Sequence, residues 1–250
     1  MVLLHAGIAD RRMWDPQWAG LTRLRDAVRL DLRGFGDSDR PPKGALDPAG
    51  DVIDTLDHLG VTSCHLVGSS FGAGVAVEVA LRRTGLVRSL LLAPPGGSLL
   101  TERTPAFAAF AAAENEAMAR GDLDAAVEAN VDTWVVGEGR TAADVDPAVT
   151  ASVRVMQRRA FDIDSTWGEL DLDEVELDPP AAERYAEVTQ PVLLVVGRHD
   201  LDTVRLAADA LEAGLPTVRR VDRPDAAHLP SMEEPEGFLR LLVDWVTEQD

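Results

Sequence analysis

The chain has 250 residues, 46% of them hydrophobic, so it is long enough to bury a full core within one domain. Its formal net charge of −19 predicts repulsion from nucleic acid and from anionic membrane surfaces, which excludes both as partners. The sequence has no apolar run of membrane-spanning length. Its N-terminal MVLLHAGIAD also lacks the basic and long apolar regions of a signal peptide, so we expect a cytoplasmic protein.

Short apolar runs alternate with segments of helical periodicity along most of the chain. This alternation predicts a doubly wound α/β fold, with a mostly parallel sheet covered by helices on both faces. The predicted strands are residues 2–4, 27–30, 64–67, 89–93, 192–196 and 217–221. An apolar stripe over residues 238–246 predicts the final helix. Cys64 is the single cysteine, and we interpret it as a small core residue of its strand.

The alternation stops between residues 98 and 187, where the sequence becomes Ala-rich and helical. We therefore predict a helical cap of residues 98–187 inserted into a core of residues 1–97 and 188–250. Pro105 and Pro147 mark predicted helix starts, and Gly121 marks a predicted helix end. Large apolar side chains are expected to join the cap helices, with some of them lining a pocket: Phe107, Phe110, Met118, Trp134, Met156, Phe161 and Trp167.

An acidic segment, residues 169–178, alternates carboxylates with apolar residues. No histidine lies near it, and calcium-binding loops place a turn-forming glycine among their ligands. We therefore predict a solvated strand-like or looped face and no metal site.

Residues 68–72 read Gly-Ser-Ser-Phe-Gly and match the pattern G-x-S-x-G centred on Ser70. The pattern lies between a predicted strand and a predicted helix, so a sharp turn would project the Ser70 hydroxyl out of the sheet. The flanking glycines fit such a turn because a Cβ there would collide with the neighbouring backbone. Free N–H groups at the start of the helix could stabilise an oxyanion. We predict that Ser70 is a nucleophile.

A serine nucleophile needs a histidine to accept its proton and a carboxylate to orient that histidine. Among the five histidines, His228 lies in a polar loop after the last predicted strand, at the expected end of the sheet. Asp200 lies in the loop after the strand of residues 192–196, which gives the chain order Ser70, Asp200, His228. Asp202 remains the alternative acid, although it could instead begin the following helix as an N-cap.

Several motifs together resemble the α/β-hydrolase superfamily over nearly the whole chain. They are LLHAGIADRRMW, DLRGFGDSDRP, VGSSFG, VVGRHD and AAHLPSMEEPEGF. The resemblance implies an α/β-hydrolase fold and an oxyanion hole formed by the main-chain N–H groups of Gly7 and Phe71. It also implies that His5 holds its loop, and that Arg33, Gly34, Gly36 and Ser38 shape a turn near the site.

The chain departs from that family in its first elements. Relatives usually carry two further strands before the HAG segment, so the N-terminal antiparallel strands are expected to be missing here. The edge of the sheet would then be open, and we predict either a homodimer that covers it or a start codon placed too late. Ala6 and Ala73 stand where relatives usually have glycine.

The resemblance is greatest to enol-lactonases and small carboxylesterases. We predict a serine hydrolase that cleaves a small-molecule ester or lactone through an acyl-enzyme and requires no cofactor. Cofactor-free perhydrolases and C–C bond hydrolases with the same triad remain alternatives, as does a non-catalytic ligand-binding protein. Ser70 argues against the branches with an aspartate nucleophile. Three cap arginines could meet a substrate carboxylate, but we expect surface salt bridges: Arg154, Arg158 and Arg159.

Overall fold

The computed structural model of the chain describes residues 1–168, 170 and 172–250. Its centre is a six-stranded parallel sheet in the order β2-β1-β3-β4-β5-β6. The strands are β1 (Val2–Leu4), β2 (Val28–Leu30), β3 (Cys64–Ser70), β4 (Val87–Pro95), β5 (Val192–Gly197) and β6 (Val218–Arg223). All six predicted strands are present, and β3, β4, β5 and β6 extend beyond their predicted C-terminal ends.

Alternate side chains of the sheet form two separate cores. Leu3, Val67, Leu91 and Leu193 are in register across four strands and lie in one core. Their neighbours Val2, Leu66, Leu90 and Val192 form the matching row in the other core. Because successive strand residues point to opposite faces, these continuous apolar strands require helices on both sides.

The helices meet that requirement. On one face, α1 (Asp15–Leu24) packs beside α9 (Pro235–Glu248). On the other face, α2 (Pro48–His58) packs beside α3 (Phe71–Arg82). The amphipathic helix α7 (Asp202–Gly214) follows β5, and the short α8 (Pro230–Glu233) precedes α9. The predicted doubly wound α/β architecture is therefore confirmed.

Between β4 and β5 the chain is mainly helical, with α4 (Pro105–Ala119), α5 (Leu123–Asn130), a π-helical segment (Val131–Val136) and α6 (Pro147–Trp167). Thr104 and Asp146 cap α4 and α6 by accepting hydrogen bonds from main-chain N–H groups. Short 3₁₀ turns complete the described elements: Arg11–Trp14, Gly97–Leu99, Ala142–Asp144, Ala181–Glu183 and Tyr185–Glu187. We retain the division into a core of residues 1–97 and 188–250 and a cap of residues 98–187 as a proposal.

The acidic segment of residues 169–178 is described only in part, since Glu169 and Asp171 lie outside the described residues. Glu174 forms an isolated parallel bridge with Leu46, whose N–H donates to Asp173 and whose carbonyl accepts from Val175. Within residues 1–168, 170 and 172–250, no group of three or more histidine, cysteine or acidic side chains is arranged to hold a metal ion.

The edge strand β2 is only half-buried. Whether a second copy covers it remains a prediction. Among the helices formed by the described residues, none has both the length and the apolar character needed to cross a bilayer.

The packing of α3 against β1 leads to a prediction about Gly72. A Cβ at this position would lie 2.6 Å from the His5 carbonyl oxygen and 2.7 Å from that of Leu4. Because both atoms belong to the backbone, we expect Gly72→Ala to lower the free energy of unfolding by about 1–3 kcal/mol, measured by urea denaturation. Gly85→Ala is the matched control, since a Cβ at Gly85 meets no atom within 4 Å. Equal stability of the two variants would contradict the prediction.

Candidate active site

Ser70 occupies the turn between β3 and α3. It is the only non-glycine residue with a positive φ in the described part of the chain, at φ 51° and ψ −113°. Such a conformation is strained for a residue with a side chain, and strain of this kind is concentrated at functional sites. A Cβ at Gly68 would collide with the main chain of Gly72, so the glycines of G-x-S-x-G are required by close backbone approach.

Asp200 and His228 are in direct contact. His228 Nδ1 lies 2.9 Å from Asp200 Oδ1 and 2.8 Å from Oδ2, and both residues are buried. A carboxylate only accepts hydrogen bonds, so Nδ1 carries the proton and Nε2 is left as the acceptor. Asp200 Oδ1 also accepts from the Leu201 N–H at 2.9 Å, which fixes the carboxylate.

The structure places Ser70 at the same carboxyl edge of the sheet as these two residues, because Ser70 ends β3, Asp200 follows β5 and His228 follows β6. Among the hydrogen bonds of the described residues, none joins Ser70 Oγ directly to His228. Contacts between a nucleophile and its base commonly tighten only when a substrate binds. The structure therefore joins Asp200 to His228 and places Ser70 at the same edge of the sheet.

The predicted oxyanion donors, Gly7 and Phe71, are neighbours. A Cβ at Gly7 would lie 3.5 Å from the Phe71 Cβ. Neither N–H donates a hydrogen bond to another group within the described ranges, so both are available to an acceptor. The sequence did not single out Gly96, whose lack of a side chain leaves room for the Ser70 hydroxyl. A Cβ at Gly96 would lie 2.8 Å from Ser70 Oγ.

The alternative acid, Asp202, lies elsewhere. Its Oδ1 accepts hydrogen bonds from Thr104 Oγ1 at 2.6 Å and from the Thr203 N–H. Asp202 is the first residue of α7, with Leu201 at the N-cap position. The expectation that Asp202 caps this helix was therefore wrong by one position, and its carboxylate instead contacts the N-cap residue of α4.

His5 holds the loop that carries Gly7. Its Nδ1 lies 2.8 Å from the Ala6 carbonyl oxygen, while its Nε2 accepts from the Leu32 N–H at 2.9 Å. Complete burial lowers the pKa of His5, so the ring is neutral. The nearby turn has the positive-φ glycines Gly34 and Gly36.

Cys64 is buried, and burial raises the pKa of its thiol to about 11. Both findings agree with its interpretation as a core residue.

A buried ion pair supports the loop of His228. Glu233 Oε1 accepts from the N–H groups of Ala227 at 3.0 Å and Leu229 at 3.2 Å, the residues on either side of the histidine. Glu233 Oε2 accepts from Arg140 at 2.8 Å, and both side chains are less than one-tenth exposed. Burial raises the pKa of Glu233, an effect that Arg140 and the two N–H groups oppose.

Arg140 also connects this loop to the helical segment between β4 and β5. Its guanidinium donates to the carbonyl oxygens of Val135, Val136 and Asp225 at 2.7–2.8 Å. These acceptors lie at the end of the π-helical segment and in the His228 loop, so one cation satisfies main-chain groups of both. The sequence offered no local signal for the pair, because 93 positions separate its members.

Aromatic side chains cover one side of His228. The ring centroids of Trp134 and His228 are 4.4 Å apart, and the Trp134 carbonyl accepts from the His228 N–H at 3.2 Å. Phe107 and Phe110 pack against Trp134. Some cap aromatics therefore approach the site, and Phe161 and Trp167 line a cavity nearby.

The three cap arginines form ion pairs. Arg154 pairs with Glu128 at 2.6 Å, and Arg159 pairs with Asp39 at 2.9 Å. Arg158 pairs with Asp162 at 3.0 Å and Asp124 at 2.5 Å. The salt-bridge interpretation of these arginines agrees with this geometry.

Comparison with known proteins shows which protein family the chain belongs to. A protein-family sequence model described as "Alpha/beta hydrolase family" matches residues 1–241. The chain belongs to the α/β-hydrolase family. The resemblance inferred from the sequence motifs is thereby confirmed, and the family supports assignment of the chain as a hydrolase.

The relatives of this hydrolase are named after several different activities. The "Putative carbamate hydrolase RutD" of Pseudomonas savastanoi pv. phaseolicola is 24% identical, covering 100% of this chain and 94% of its own length. The "3-oxoadipate enol-lactonase 1" of Acinetobacter baylyi is 25% identical, covering 95% and 84%. The solved esterase EaEST of Exiguobacterium antarcticum has a TM-score of 0.76 at 21% identity, covering 98% and 91%, which shows the shared fold.

The Arg140–Glu233 pair gives a second prediction. Arg140→Met leaves a buried carboxylate without its cation, and breaking such a pair is strongly destabilising. We expect the free energy of unfolding to fall by about 3–5 kcal/mol in urea denaturation. The matched control is Arg120→Met, because Arg120 pairs with Glu116 on the surface and its loss should cost less than about 1 kcal/mol. Similar losses in the two variants would show that the buried pair does not hold the loop.

Proposed function

We propose that this hydrolase cleaves a carboxylic ester or lactone through a covalent acyl-enzyme, with Ser70, His228 and Asp200 as its catalytic triad. The observation that carries the proposal is the contact of both Asp200 carboxylate oxygens with His228 Nδ1. This contact lies at the edge of the sheet where Ser70 is held in a strained turn. A fixed acid–histidine pair beside a strained serine suits acyl transfer.

The first step is the attack of Ser70 Oγ on the carbonyl carbon of the substrate. His228 Nε2 accepts the serine proton as the Oγ–C bond forms, because Nδ1 already donates to Asp200. Asp200 then stabilises the imidazolium that results. Its burial strengthens this interaction, since charges attract more strongly where water is excluded.

The tetrahedral intermediate carries negative charge on the former carbonyl oxygen. We assign its stabilisation to the N–H groups of Gly7 and Phe71, with Phe71 at the start of α3. The helix N-terminus favours negative charge at this position. Collapse of the intermediate breaks the bond to the leaving group, which takes its proton from His228.

Water completes the reaction. His228 accepts a proton from water as the water oxygen attacks the acyl carbon. Collapse of the second intermediate breaks the bond between the acyl carbon and Ser70 Oγ, which takes the proton back from His228 as the acid is released. The proposed residues supply every proton transfer in this sequence. The names of the enol-lactonase and esterase relatives support an ester or lactone as the substrate.

The 2-hydroxymuconate semialdehyde hydrolase of Pseudomonas putida, 28% identical with 92% of this chain covered, gives a specific reason to test C–C bond hydrolysis as a second candidate. The same serine, histidine and carboxylate could serve that reaction. Activity on meta-cleavage products that exceeds activity on esters would favour this second candidate.

A test of the nucleophile uses a fluorophosphonate probe and p-nitrophenyl esters. We expect the folded protein to be labelled at Ser70, as mapped by peptide mass spectrometry. We also expect Ser70→Ala to abolish labelling and to lower kcat by about 10³-fold or more, because the proposal assigns formation of the acyl-enzyme to Ser70 alone.

Ser69→Ala is the matched control, since Ser69 is the adjacent serine of the same motif and is buried. It should retain labelling at Ser70. Full esterase activity in Ser70→Ala would refute the assignment. A folded wild-type protein that is neither labelled nor active would indicate a ligand-binding member of the fold.

A further inference from the structure

A cavity of about 500 Å³ lies between α6 and the loop after β2. The lining residues of α6 are spaced as one helical stripe: Gln157, Ala160, Phe161, Asp164 and Trp167. Opposite them lie Gly34 and Phe35 of the glycine-rich turn. The cavity is large enough for a small acyl group and has an apolar wall, as ligand sites commonly do.

The cavity reaches the proposed oxyanion position. Gly7 is one of its lining residues, and a Cβ on Gly7 would lie 3.5 Å from the Phe71 Cβ. The ring of Phe35, also in the lining, packs on that of Phe71 with centroids 5.8 Å apart. Phe71 directly follows Ser70, so two lining residues of the cavity, Gly7 and Phe35, lie against the turn that carries the proposed nucleophile.

The charges around the cavity disfavour an anion. Arg33 is the one cation among the described lining residues, and its Nε and Nη2 each lie 2.6 Å from an Asp51 carboxylate oxygen. Asp164 and Glu174 also line the cavity, and neither has an ion-pair partner within the described ranges. A substrate carboxylate would therefore meet two negative charges and an already neutralised arginine.

Gln157 is the polar group best placed to bind a substrate. It is only 4% exposed although it lines the cavity, and its Oε1 has no hydrogen-bond partner in the described structure. A side-chain amide that makes no hydrogen bond within the described structure can pair with a polar group of a ligand, and a site that does so discriminates against an analogue lacking that group. A hydroxyl or amide can pair with a side-chain amide in either orientation of that amide.

We propose that this cavity receives the acyl group of the substrate, that it selects an uncharged acyl group bearing a hydroxyl or amide, and that Gln157 binds that polar group. The proposal rests on the proposed ester hydrolysis and adds its substrate class. It does not depend on the three cap arginines, since their guanidinium groups are paired with Glu128, Asp162, Asp124 and Asp39.

Three p-nitrophenyl esters of matched length test the proposal. Their acyl chains are those of adipic acid monoamide, adipic acid and heptanoic acid, so they end in a carboxamide, a carboxylate or an ethyl group of comparable size. We expect kcat/KM for the carboxamide to exceed that for the carboxylate by about tenfold or more, because the carboxamide gains a hydrogen bond and avoids repulsion.

Gln157→Met separates the hydrogen bond from the charge. The flexible Met side chain fills a similar volume without a strong hydrogen-bonding group, so we expect about a tenfold loss of kcat/KM for the carboxamide and little change for the heptanoate. Thermal unfolding of the variant checks that it remains folded. If it does not fold, the order of the three substrates on the wild-type protein still decides the proposal.

The double variant Asp164→Asn/Glu174→Gln tests the charge. Because both side chains are exposed and therefore screened, we expect only about a threefold gain in kcat/KM for the carboxylate ester and none for the carboxamide. Asp54→Asn/Glu183→Gln is the matched control, since it removes the same charge at exposed positions that do not line the cavity. We expect this control to leave all three substrates unchanged.

The failures of the two proposals are distinguishable. Hydrolysis of the heptanoate by the wild-type protein but not by Ser70→Ala, with equal kcat/KM for the carboxamide and carboxylate esters, would overturn the cavity proposal alone. The absence of Ser70-dependent turnover for every ester would overturn the proposed function itself.

Discussion

The close approach of α3 to the sheet is the constraint on which the site depends. Gly72 donates its N–H to the His5 carbonyl at 3.1 Å, and its missing Cβ lets the helix lie directly on the backbone of the loop after β1. This contact fixes the first turn of α3, and with it the positive φ of Ser70. Strain at the serine is thus balanced by packing around it, since a strained backbone persists only where its surroundings over-determine it.

The histidine is held by a different kind of interaction. Two main-chain N–H groups on either side of His228 converge on one carboxylate oxygen of Glu233, and Arg140 neutralises that carboxylate while it binds the end of the π-helical segment. Trp134 from that segment lies against the imidazole. The helices between β4 and β5 therefore contribute to the support of the site and do not merely cover it. Disturbance of the Arg140–Glu233 pair is expected to reach His228 through the backbone.

Local sequence signals predicted the fold and supplied the candidate residues of the site, because parallel strands place their following loops at one edge. The order of Ser70, Asp200 and His228 along the chain thus indicated which side chains could meet, and the structure brings Asp200 to His228. The sequence left Asp202 as an alternative to Asp200, because the two residues lie in the same loop. Which of their side chains points toward His228 depends on the loop's backbone conformation, which local sequence does not reveal. It also missed Arg140, whose contact with Glu233 depends on how distant segments pack.

The net charge of the chain and the charged groups that line the cavity affect a bound substrate over different distances. The net charge of −19 acts over the whole surface but is screened within about 8 Å in physiological salt, so it has little influence on a bound group. The local arrangement is more decisive, because Arg33 is neutralised by Asp51 while the amide of Gln157 is buried beside the apolar wall. Under the two proposals, groups at the edge of the sheet attack the carbonyl and the side chains of α6 select the acyl group. Chemistry and specificity are then encoded in separate parts of the sequence.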